Sequence, residues 1–133
     1  MSRYGEETQV EIDPYEIVGE FVHKYETLIK PGIQSVNIAG AVGVIGDVLE
    51  RAKPEQKSVL QLGPEVYHLY ITALTYLDEI REASLRLGKE VTQKNLEGLL
   101  LSASRQVGEL DFIMISRKSE VYEQHRQRQG ERR

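Results

Sequence analysis

The 133-residue chain has no cysteine and no tryptophan, and only two phenylalanines, two methionines and four prolines. Without thiols it forms no disulfide, thiolate metal site or cysteine nucleophile. No apolar run approaches the ~20 residues needed to cross a bilayer. The longest, Val36–Leu49, is broken by Asn37, Gly40, Gly43, Gly46 and Asp47. The opening residues, Met1 to Asp13, are polar and acidic, where a secretory signal needs a basic flank and an apolar stretch. A cytoplasmic protein without a membrane span is therefore expected. Common catalytic signatures are missing as well: no HExxH, no serine nucleophile elbow and no glycine loop ending in a Walker lysine. No catalytic residue, cofactor or metal is expected.

The length suits one domain with a core large enough to need no covalent staple. The formal charge of −4 conceals a gradient. Acids outnumber bases over residues 1–30, whereas residues 115–133 carry Arg117, Lys118, Arg126, Arg128, Arg132 and Arg133 against three glutamates. Residues 1–12 read as a flexible acidic segment, 13–125 as a single helical domain and 126–133 as a flexible basic tail. Arg117, Lys118, Arg126 and Arg128 are the groups that could meet nucleic-acid phosphates.

Hydrophobic spacing carries most of the information. Asp13-Pro14-Tyr15-Glu16 combines a capping acid with proline at the first helical position. Ile17, Val18, Phe21, Val22, Tyr25, Leu28 and Ile29 follow with helical period, and Pro31-Gly32 predicts the end of this first helix. Residues 33–52 are apolar nearly all round, which suits a buried helix or a strand followed by a helix. Helix is favoured, with a stop at Lys53-Pro54. A third helix opens at Gly63-Pro64-Glu65. Val66, Tyr70, Ala73, Leu77, Ile80, Ser84 and Leu87 then alternate at spacings of four and three. Gly88 is a natural terminator and Thr92 a cap. In the fourth helix Leu96, Leu100, Ala103, Val107, Leu110 and Met114 repeat the pattern.

Two such stripes joined by four residues predict a long antiparallel hairpin of helices 3 and 4 within an all-α, four-helix bundle-like domain. The last helix is expected to run from Gln93 to about Gln124, near 48 Å, too long for a globule of this size. It also carries Leu101, Phe112, Ile113, Ile115, Val121 and Tyr122, more apolar surface than one core can cover. These six are the candidate interface residues. They point to a non-catalytic structural or adaptor subunit, working as a homo-oligomer or in a larger assembly. A helical subunit of a nucleic-acid complex, using the basic tail, is the alternative in a second class.

Two further constellations have the spacing of known binding motifs. Val36-Asn37-Ile38-Ala39 followed by Gly40-Ala41-Val42-Gly43-Val44-Ile45-Gly46 resembles the glycine fingerprint of extended short-chain dehydrogenases. The resemblance spans about 20 residues. It implies a strand, a turn at Gly40, Gly43 and Gly46 that admits a pyrophosphate, a helix over Val48–Ala52 and a second strand over Ser58–Leu62. It does not extend further: no acid ends the second strand, and no tyrosine is followed four residues on by lysine. Glu20–His23 and Glu65–His68 have the i, i+3 spacing of di-iron bundles. At 100° per residue, Glu20 and His23 face away from the apolar stripe of the first helix, and His68 falls on the outer face of the third.

Overall fold

The computed structural model describes residues 13–35, 37–117, 122–124 and 127. The acidic segment 1–12 and, Gln127 apart, the basic tail 126–133 lie outside the described residues. Four long helices account for almost all of the rest, and no strand forms among the described residues. Helix α1 covers residues 14–34, α-helical over Pro14–Lys24, π-helical over Tyr25–Ile29 and α-helical again over Lys30–Gln34. Helix α2 is Ile38–Leu60, α3 is Pro64–Leu85 and α4 is Gln93–Ser116.

Each start is set by local chemistry. The Asp13 carboxylate accepts from the Tyr15 N–H at 2.9 Å. Asn37 accepts from the Gly40 N–H. Thr92 and Asn95 form a reciprocal capping box, with Asn95 in place of the usual glutamate or glutamine. Gly63 and Gly88 adopt φ of +107° and +88°, and these left-handed residues turn the chain at the two corners of α3.

Two expected helix ends are not ends. Pro31 lies inside α1. Its ring would strike the carbonyl four residues back, and it offers no N–H to that acceptor. The π-turn just before it absorbs the conflict: Lys30 N–H reaches the Tyr25 carbonyl, five residues back, and the widened turn shifts the carbonyls that face the ring. Pro54 is likewise internal to α2. Burial of Val59 and Leu62 beyond it offsets the roughly 3 kcal/mol that an internal proline costs.

Neighbouring helices all run antiparallel. Gly32 meets Ala41 near one end of the α1–α2 pair, and Glu20 meets Arg51 near the other. Tyr67 on α3 donates to Gln56 on α2. The Tyr25 hydroxyl on α1 donates to the Leu100 carbonyl on α4 at 3.1 Å. The hairpin of helices 3 and 4 is the most extensive contact in the bundle. Every apolar member of its two stripes from Val66 to Ile80 and from Leu96 to Met114 is buried, as spacing required. Phe21 packs edge-on against Tyr70 with ring centroids 5.4 Å apart, joining α1 to that hairpin.

The last helix is shorter than expected. It ends at Ser116 after 24 residues, about 36 Å. Arg117 occupies a stripe position but carries a charge. Its guanidinium donates to the Leu62 carbonyl at 2.7 Å, at the α2–α3 corner. Tyr122 is fully buried, and its hydroxyl donates to Asp111, a contact that a continuous helix forbids. The helix that seemed to overrun the globule therefore does not.

Candidate functional site

The six candidate interface residues separate into three groups. Leu101, Phe112 and Ile115 are exposed, at 60%, 69% and 38%. Ile113 is half-buried against the core, and Tyr122 is interior, so neither offers the open surface expected of it. Val121 lies outside the described residues. The exposed three belong to one stripe. Lys94, Gly98, Leu101, Arg105, Gly108, Phe112 and Ile115 follow one another at spacings of four and three, and all are exposed. This second seam lies opposite the buried seam, because its members fall midway between Leu96, Leu100, Ala103, Val107, Leu110 and Met114 around the helix. Methyl groups built at Gly98 and Gly108 meet nothing within 4 Å. Nothing among the described residues requires glycine at either position. Arg105 and the two glycines are the part of this face that apolar counting missed; the same four-three rhythm, applied to exposed positions, finds them.

The structure also gathers a polar cluster that the sequence did not announce. Glu20 and Lys24 on α1, Arg51 and Glu55 on α2 and Tyr70 on α3 line a pocket of about 20 Å³, room for about one water. Arg51 bridges Glu20 at 3.5 Å and Glu55 at 3.9 Å, and Lys24 reaches Glu20 at 3.6 Å. Burial raises the Glu55 carboxyl above its ordinary range; Arg51 opposes that shift and Glu20 adds to it. Burial raises the Tyr70 hydroxyl too, reinforced by the charge of Glu55. Two cations against two carboxylates leave no net charge to attract a ligand. The cluster fastens α1 to α2. Its members come from three helices, so no local motif reveals it.

The other candidates take structural places. The strand implied by the dehydrogenase resemblance is absent: Gly40, Gly43 and Gly46 all lie within α2. A methyl at Gly40 would come within 2.7 Å of the capping Asn37 side chain, so glycine there serves the cap. Glu20 is engaged by Lys24 and Arg51, and Glu65 and His68 are exposed. No group of three histidine, aspartate or glutamate side chains suited to a metal occurs among the described residues. Of the basic candidates, Arg117 is held by the Leu62 carbonyl, while Lys118, Arg126 and Arg128 lie outside the described residues. No helix among the described residues is long and apolar enough to cross a membrane.

Compared with protein families, curated proteins and solved structures, the chain matches none.

Proposed function

We propose that this protein is a non-catalytic structural or adaptor subunit of the cytoplasm, acting through helix packing in an assembly, with the outer face of α4 as its contact surface. One observation carries the reading: Leu101, Phe112 and Ile115 lie exposed on a single seam of one helix. Exposed apolar residues scattered singly are ordinary, as Leu28, Leu60 and Leu85 are on the other helices. Three in register along one seam are the arrangement by which helices recognise one another.

A photo-crosslinking amino acid at position 112 tests this, in cells that make the protein natively. Higher-mass adducts are expected from position 112 and not from exposed Glu82 on α3. Absence of any adduct from position 112 overturns the reading.

A further inference from the structure

We infer that the partner of the α4 outer face is a second copy of this chain, paired antiparallel across a two-fold axis that passes level with the stretch between Arg105 and Gly108. The inference rests on the reading of α4 as the contact surface and adds its occupant and register.

A two-fold axis requires the face to complement itself. With the axis at this level, Leu101 of each copy packs against Phe112 of the other. Ile115 enters the gap left by the missing side chain of Gly98, and Arg105 lies over Gly108. Each layer thus joins a large side chain to a glycine opening, or two apolar side chains to each other, as knobs-into-holes packing requires. The two Arg105 side chains then lie about 4.5 Å apart along the axis, and a carboxylate beside each offsets their repulsion. Glu109, exposed beside Gly108, comes level with Arg105 of the second copy to within about one residue's rise of 1.5 Å. A parallel, in-register pair packs less well. It sets Arg105 against Arg105, repelling like charges, and stacks glycine on glycine at positions 98 and 108, leaving voids.

The absence of cysteine makes the register directly readable. Sedimentation of the wild-type chain at about 200 μM comes first, a concentration suited to a seam at the small end of specific interfaces. A dimer is expected, weakened about 30-fold or more by Phe112→Glu, with the circular dichroism melt of the dilute monomer unchanged. Leu101→Cys and Phe112→Cys are then oxidised separately and mixed. Disulfide-linked dimers are expected from the mixture only, since antiparallel pairing holds like positions about 16 Å apart along the axis.

A wild-type monomer overturns the inference. So do crosslinks within either variant alone, and a dimer in which neither the mixture nor the single variants crosslink. Photo-adducts from position 112 with another protein alone overturn self-pairing while the reading of α4 as a contact face stands. No adduct at all removes both.

Discussion

Glycine shows how the same residue serves opposite ends at different positions. At Gly32 an added methyl would lie 2.8 Å from the Ala41 Cβ and 3.2 Å from the Asn37 carbonyl. Glycine there lets α1 and α2 approach closely. At Gly43 the same methyl would meet nothing, and glycine only loosens the helix. Gly32→Ala should therefore destabilise the fold by about 1–3 kcal/mol, and Gly43→Ala should stabilise it by about 0.5–1 kcal/mol. Urea unfolding midpoints of the two variants check both signs.

Glu55 carries the clearest dependence on pH. Its folded carboxyl titrates above the unfolded value, chiefly because burial disfavours the charge. Its contribution to stability is thus fully present below the unfolded carboxylate range, and is lost as pH rises through the folded value. Glu55→Gln should lift stability at pH 7 relative to wild type and flatten the decline as pH rises from about 4.5. Urea unfolding across that range measures it. A variant less stable than wild type at pH 7 would mean that the pairing with Arg51 outweighs the burial.

Elements were legible wherever the pattern was local and periodic. The stripes of α3 and α4 could be read by counting, since a 3.5-residue repeat commits each apolar residue to one seam. Thr92 and Asp13 could be read as caps because capping involves residues two or three apart. Pro31, Pro54 and Arg117 could not be read the same way. A proline is a helix breaker by propensity, yet a π-turn or tertiary burial overrides that preference. Nothing local marks Arg117 as the end of the stripe, because its partner, the Leu62 carbonyl, lies 55 residues away in sequence. The Tyr25 hydroxyl bonds across the bundle in the same long-range manner, donating to Leu100 beside Ser104 on α4. Tyr25→Phe removes this bond and the hydroxyl contact with Ser104 and should cost about 1–2 kcal/mol, read as a lower midpoint in urea with an unchanged slope.

At the scale of the whole molecule, the turn after Ser116 changes how the basic tail should be tested. Removing residues 118–133 also removes Tyr122 from the core, and should cost about 2–4 kcal/mol. Ending the chain after Gln124 spares Tyr122 and should leave stability within about 0.5 kcal/mol, as thermal melts of the two truncations will show. Only the shorter deletion isolates Arg126 and Arg128 when salt-dependent nucleic-acid binding is measured.

The sequence by itself determined the all-α class, the number of long helices, the buried seams of α3 and α4 and the caps that start α1 and α4. All of these rest on contacts within a few residues or on a periodicity that survives without knowing the neighbours. Only the tertiary structure decided the rest. It carried α1 past Pro31, drew five polar side chains from three helices around one small pocket, and folded Tyr122 back into the core. It also separated the six interface candidates into the three that remain exposed and those that do not. Exposure depends on what covers a residue, and at Leu101, Phe112 and Ile115 nothing in the described chain does.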